Sequence, residues 1–410
     1  MNSPSRPTNT ARWENMQKSA PAKASGTILV RSRKSEIGVL DDAVQRLTRT
    51  VAKGNENMTT GCFTSRRNFL KTSVAGGAAA AAALRIPSAW AAKAASAPAV
   101  SGNLTSRVAL AAGDDRANIA FKSLDPFKKE IAAAIGNKRV VIKPNNVITT
   151  VPLSASHADN LEGILEFLKS IGKKNVVIAE SPANGPAADG FANFGYTKFV
   201  DKYGVKLVDL DKDDFEVVYC IDQKDFQPHP CRMAKTMMGP DNFIISAAKL
   251  KTHDLVGITL SLKNVVVGAA LKEAANKPMS GKRLTHGGGT YGINYNLFVL
   301  SAKLHPDLAV IDGYEGMEGT GPVHGTPVEQ KVCIASMDWL AADRVGAELM
   351  GVDFSKIGYL TYCAQAGDRG QADLSKIEIV GPPIKDHAKT YQMPRQWDQI
   401  TSWQKPVATA

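Results

Sequence analysis

Arg139-Val140-Val141-Ile142-Lys143-Pro144-Asn145-Asn146 is the stretch from which the fold is read. Successive β-branched residues with no polar alternation predict a strand buried on both faces, as in a parallel sheet covered by helices. Pro144 ends the strand, because proline has no N–H for the ladder. Upstream, Arg107 to Ala111 predicts a strand and Pro126 to Ile135 a helix. Downstream, Asn160 to Ile171 is amphipathic, with Leu161, Ile164, Leu165 and Leu168 on one face; a strand at Asn175 to Ala179, a short helix at Tyr196 to Tyr203 and a strand at Lys206 to Asp209 follow. The rhythm resumes with a strand at Asn242 to Ser246, a helix at Tyr295 to Leu304, strands at Leu308 to Ile311 and Lys331 to Ala335, a helix at Trp339 to Met350 and a strand at Ile377 to Val380. The expected fold is α/β: a mixed, mostly parallel sheet covered by helices on both faces. Phe215 to Gly239 breaks the rhythm and predicts an inserted hairpin or small subdomain, and residues 382–410 predict a strap-like tail.

The 410-residue chain carries a formal net charge of +11, which alone would suggest nucleic acid or an anionic membrane surface. The charge is not evenly spread. Residues 1–91 hold 14 Lys and Arg against 5 Asp and Glu, from totals of 50 and 39, so the remainder is close to neutral and no nucleic-acid partner is expected. Ser65-Arg66-Arg67-Asn68-Phe69-Leu70-Lys71 resembles a bacterial twin-arginine signal; a soft apolar run from Thr72 to Leu84 and an Ala89-Trp90-Ala91 cleavage site follow. That run is too short and too rich in Ala and Gly to span a bilayer stably. The reading divides the chain into an extension at 1–57, a signal at 58–91, a linker at 92–106, an α/β domain at 107–381 and the tail. The extension is polar and lacks apolar periodicity, so Met58 is the better start. The twin-arginine translocase is the expected partner, and the mature protein is expected in the periplasm or outside the cell, with no stable membrane span.

Cys220, Cys231, Cys333 and Cys363 form no CxxC, so no iron–sulfur cluster is expected. Four buried free thiols are the plain expectation, with a Cys220–Cys231 disulfide as the alternative after export.

In open α/β sheets, ligands gather beyond the carboxyl ends of strands. Polar residues crowd these ends: Lys143-Pro144-Asn145-Asn146, Glu180-Ser181-Pro182, Lys249-Leu250-Lys251-Thr252-His253, Asp312-Gly313 and Ser336-Met337-Asp338. Between them lie Lys263-Asn264 and a glycine loop, Glu315 to Pro322, containing Glu318, Gly319 and Gly321. In the order of these motifs the chain resembles domain of unknown function family 362, over about 107–381. The resemblance implies the motifs but no established activity. Many members of that family carry a ferredoxin-like cysteine cluster that this sequence lacks.

Read by their chemistry, Lys143, Lys249, Lys251 and Lys263 would make a cationic pocket if they converge, with Asn145 and Asn264 orienting a small anion and Gly319 and Gly321 contributing backbone contacts. A second set is acidic and imidazole: Glu180, Asp312, Glu318, Asp338 and Asp343 with His253, His286, His305 and His324. Converging, these would hold a divalent metal or act as acid and base; Asp338 and Asp343 read equally as an N-cap and a helix-surface charge. His253, Asp312 and Glu318 are the candidate catalytic residues. Gly287-x-Gly289-x-x-Gly292 lacks the preceding strand of a dinucleotide fingerprint, leaving the helix start after it as a candidate anion contact. The functional expectation is an exported enzyme acting on a small carboxylate or phosphate, with metal assistance an open option. The alternatives are an extracytoplasmic ligand-binding protein and a maturation factor for a redox enzyme.

Overall fold

In the computed structural model, which describes residues 105–272 and 280–404, the decisive stretch is the second strand of a nine-stranded sheet. The chain runs β1 (Ser106–Ala112), α1 (Arg116–Leu124), α2 (Lys128–Ile135), β2 (Arg139–Lys143), α3 (Ala158–Ser170), β3 (Val176–Glu180), α4 (Ala187–Asn193), α5 (Lys198–Tyr203) and β4 (Lys206–Asp209). A separate antiparallel hairpin, β5 (Phe215–Ile221) and β6 (Pro228–Ala234), is the insertion expected from the broken rhythm, and α6 (Lys235–Met238) closes it. The main sheet then continues with β7 (Asn242–His253), β8 (Gly257–Thr259), α7 (Ser261–Ala269), α8 (Gly281–Thr285), α9 (Thr290–Ser301), β9 (Leu308–Thr320), β10 (His324–Ser336), α10 (Trp339–Leu349), α11 (Gly358–Ala366), β11 (Ile377–Val380) and α12 (Trp397–Ile400).

The strand order is β11-β1-β10-β9-β7-β2-β3-β4, with β8 folded back on β7. Strands β9, β7, β2, β3 and β4 are mutually parallel, while β10 runs antiparallel to both β9 and β1. Each sheet face has its own apolar layer. One contains Ile142, Ile178, Phe243 and Ile245 with Ile119, Leu161, Ile164 and Phe167 of α1 and α3. The other contains Val141, Ile244, Ala248 and Leu250 with Val265, Ile293, Val345 and Leu360 of α7, α9, α10 and α11. Helices thus cover both faces, which is why β7 is buried along all twelve of its residues.

This arrangement fixes where a ligand can go. From β2 the chain moves outward to β3 through α3 on one face; from β7 it moves the opposite way to β9 through helices on the other face. The neighbours β2 and β7 therefore flank a topological switch point, where a crevice opens beyond the strand ends.

Three sequence-based boundaries change. β7 does not stop at Ser246 but continues through Lys249, Lys251 and His253, because β9 on one side and β8 on the other keep pairing with it. Glu315 to Thr320 is not a glycine loop: it prolongs β9 against β10. Arg116–Leu124 is a helix that was not anticipated; the Asp115 side chain caps it by accepting from Asn118 N. The tail lies against the domain, with Tyr391 OH donating to Gln330 Oε1 at 2.8 Å and Trp403 Nε1 to the Lys356 carbonyl at 2.9 Å. The extension and the signal, with the linker as far as 104, lie outside the described residues.

Candidate functional site

A cavity of about 90 Å³ opens at the switch point, lined among others by Lys143, Asn146, Glu180, His253, Thr259, Lys263, Lys282 and His286. The space is enough for several waters or one small molecule.

The wall is a hydrogen-bonded chain across the ends of β2, β3 and β7. Lys143 Nζ pairs with Glu180 Oε1 at 2.5 Å and donates to the Pro144 carbonyl at 2.6 Å. Glu180 also accepts from Asn146 N at 2.8 Å and Ser181 N at 2.7 Å, which satisfies a carboxylate that would otherwise be costly to bury. Asn264 on α7 donates to the Lys143 carbonyl and to Ser246 Oγ, each at 3.0 Å. Its Oδ1 accepts from Asn145 Nδ2 at 2.9 Å. Lys251 Nζ donates to Asn145 Oδ1 and, at 2.7 Å, to the Ser154 carbonyl. Asp343 holds the start of α7 by accepting from Ser261 N at 2.8 Å and Leu262 N at 3.2 Å. Burial raises that carboxyl to about 7.

Gly268 shows how tightly this wall is assembled. A Cβ there would stand 2.3 Å from Lys143 Cε, so only glycine lets α7 pass over the lysine.

Inside the wall the free polar atoms are mainly donors. Lys263 is 6% exposed, and among the described residues no hydrogen bond or ion pair engages its ammonium. Burial lowers it to about 8, while Asp254 pulls the other way. Thr259 Oγ1 and Asn146 Nδ2 are buried without partners. Lys282 is satisfied, donating to the Val267 and Gly268 carbonyls at the end of α7, but burial and the Lys143 charge lower it to about 7.

The two imidazoles stack, with ring centroids 6.1 Å apart. Burial first, and Lys263 second, push His253 well below its usual value and His286 to about 4, so both are neutral near pH 7. Asp254 Oδ1 lies 3.2 Å from His253 Nδ1. With the ring neutral and Leu255 N donating to the same nitrogen at 3.0 Å, that contact is not an ion pair.

The expected lysines are thus only partly brought together. Lys143 and Lys263 line the cavity and Lys251 sits behind Asn145, but Lys249 does not line it and feels the charge of Asp312, its register partner on β9. Arg116 Nε is 3.6 Å from Asp312 Oδ2, and its guanidinium lies over the Tyr314 ring. Asp312 therefore serves that second cluster. Glu318 accepts from Gln392 N at 2.8 Å, outside the cavity. Gly319 N donates to the Gln392 carbonyl and Gly321 N to the Gly319 carbonyl, so neither N–H is free for a ligand. A Cβ on Gly321 would lie 2.1 Å from the Thr252 carbonyl; this glycine is a packing requirement that brings Pro322 to the cavity.

Of the acidic and imidazole set, Glu180, His253 and His286 line the cavity and the others do not. Among the described residues no three His, Cys, Asp or Glu side chains are disposed to hold a metal ion. Asp338 caps α10, as its N-cap reading anticipates, whereas Asp343 is a buried cap of α7 rather than a helix-surface charge. The start of α9 is occupied by Gln223, whose Oε1 accepts from Gly292 N at 3.1 Å. Cys220, Cys231, Cys333 and Cys363 are buried and form no disulfide among the described residues. Sequence reasoning missed Lys282 and Gly268 outright; a five-residue helix gives no periodic signal for the first.

Fold and cavity together define a doubly wound α/β protein with a basic, donor-rich crevice at its switch point. The chain belongs to the family described as Domain of unknown function (DUF362), which matches residues 140–348, a span that holds every cavity residue named above. It is 28% identical over 219 residues to a thylakoid-associated protein of Synechocystis sp., covering 52% of this chain and 64% of that protein. The match thus spans less than two thirds of the relative's length. Among solved structures it is similar to the lactate racemase apoprotein of Thermoanaerobacterium thermosaccharolyticum, at 11% identity and a TM-score of 0.36, over 61% of this chain and 58% of that one. It is also similar to a Thermotoga maritima protein, at 14% identity and a TM-score of 0.35, over 58% and 60% of the two chains.

Proposed function

We propose that this is an exported enzyme whose switch-point cavity takes a small anion, a carboxylate or a phosphate, and acts on it by proton transfer. One observation carries the reading: Lys263, Thr259 and Asn146 line one small cavity, where Thr259 Oγ1 and Asn146 Nδ2 are buried without a partner and, among the described residues, no hydrogen bond or ion pair engages Lys263. Buried donors left unmade cost about 1–3 kcal/mol each, more for a charged one. A fold retains that cost where a ligand removes it. Glu180 offsets one lysine, leaving the cavity with more positive than negative side chains.

Export rests on the sequence alone: the Arg66-Arg67 pair, the apolar run and the small-residue cleavage site occur in order. Among the described residues no helix is long and apolar enough to cross a membrane. The test of the anion reading is mass spectrometry of small molecules released from native protein purified from its own compartment. A carboxylate or phosphate compound at near-equimolar yield supports it. A stoichiometric cation or neutral compound in its place refutes it.

A further inference from the structure

The stacked imidazoles of His253 and His286 are held in opposite tautomers. His253 Nδ1 accepts the Leu255 N–H at 3.0 Å; this bond, rather than the half-exposed Asp254 carboxylate 3.2 Å from the same nitrogen, sets the tautomer and leaves the ring proton on Nε2. His286 Nδ1 lies 2.5 Å from the Lys282 carbonyl, an oxygen that can only accept, so Nδ1 carries the proton and Nε2 keeps its lone pair. Two neutral rings lining the cavity therefore carry one N–H donor and one lone pair, and a ligand carboxylate on Lys263 removes one of the charges that hold His286 at about 4.

We propose that the cavity binds a 2-oxo acid and catalyses removal of a proton from the carbon beside its carbonyl, with His286 Nε2 as the base and His253 Nε2–H as the donor to the carbonyl oxygen. This rests on the anion reading and narrows it. The unpaired Lys263 ammonium and the Thr259 hydroxyl suit the carboxylate. A neutral imidazole suits an oxygen that starts uncharged and gains charge: it strengthens its hydrogen bond as the enolate forms and does not give up its proton. In the step, the C–H proton goes to His286 Nε2, the C–H electron pair becomes the C=C bond, and the C=O π pair moves to oxygen, where His253 Nε2–H holds it. Reversal returns a proton to carbon. No oxidant or second substrate is consumed. The Lys282 main chain has a part here, because its carbonyl anchors the His286 N–H and so keeps the lone pair on Nε2.

Pyruvate in D2O is the probe. Replacement of its methyl protons by deuterium, followed by proton NMR, is expected to exceed the buffer rate with the native protein. The enhancement should fall about 100-fold or more in His286→Gln and on the order of 100-fold in His253→Gln. Pyruvate should still raise the melting temperature of both variants. Nitrogen-15 NMR of the imidazoles gives a ligand-free reading, with His253 expected protonated at Nε2 and His286 at Nδ1. Native protein that pyruvate stabilises but that exchanges no faster than buffer overturns the proposal, as does the same tautomer in both rings. If neither pyruvate nor inorganic phosphate stabilises the native protein, the anion reading itself fails, and this proposal with it.

Discussion

Lys143 Nζ lies 2.5 Å from Glu180 Oε1, with both side chains 1% exposed, so a buried ion pair ties the carboxyl ends of β2 and β3 at the cavity wall. Burial lowers the lysine and the Glu180 charge raises it, and the pair's remaining valences are taken up by backbone. The pair is a structural support for a site in which Lys263, unlike Lys143 and Lys282, has no hydrogen bond or ion pair among the described residues.

Glu180→Ala should therefore be severely destabilising, by about 3–5 kcal/mol, because it strands a buried ammonium. The double variant Lys143→Met/Glu180→Leu should recover most of that loss. Chemical denaturation of the two variants measures it, and a loss below about 1 kcal/mol in the single variant would show that the pair does not hold the strand ends.

Gly268→Ala should push the Lys143 side chain off its carboxylate, since the new methyl would sit 2.3 Å from Lys143 Cε. The expected cost is about 1–3 kcal/mol, the usual range for overpacking. Combining it with Lys143→Ala should remove most of the penalty; additive losses would mean the contact is not the cause.

The pH dependence has a definite sign. Lys282 at about 7 and Lys263 at about 8 lie below the value of an unfolded lysine, so between those values and the unfolded one the unfolded chain binds more protons. Stability of the empty protein should consequently rise from pH 7 to about pH 8. The thiols of Cys333 and Cys363, raised by burial above their unfolded value of 9.0, act in the opposite direction as pH approaches 9, and the raised phenol of Tyr391 does so above that. Lys282→Met should flatten the rise. A melting temperature that falls across this window in the native protein contradicts the assignment.

Export makes a separate prediction. Replacing Arg66 and Arg67 with Lys should leave uncleaved precursor in the cytoplasm, and N-terminal sequencing of exported native protein should begin at Ala92. Undiminished export of the double variant would remove the twin-arginine reading without touching the cavity.

Much of the fold was legible because each strand is a short β-branched run with a sharp end. Arg139 to Lys143 and Ile377 to Val380 are found where expected. The polar end of β9 was misread as a glycine loop and that of β7 as lying beyond its strand, since the neighbouring strands that pair with Lys249, Lys251 and Glu315 are not legible in the local sequence. Lys143, Asn145, Lys251, Lys263 and Asn264 were found from the rule that ligands sit beyond strand ends. That rule says nothing about direction, so it equally selected Lys249 and Asp312, which are register partners on β7 and β9 and do not line the cavity. Lys282 and Gly268 owe their places to long-range packing that no local pattern encodes.

The central claim, that an anion completes the donors around Lys263, is tested most directly by melting temperature against inorganic phosphate or pyruvate at constant ionic strength, set with chloride. Native protein should be stabilised, by about 2.7 kcal/mol at a hundredfold excess over Kd. Lys263→Met should be more stable than native when empty, because it removes an unpaired buried charge, and should lose the response; the exposed Lys129→Ala should behave as native. A native protein that neither anion stabilises, or a Lys263→Met variant that responds as strongly as Lys129→Ala, would contradict the account.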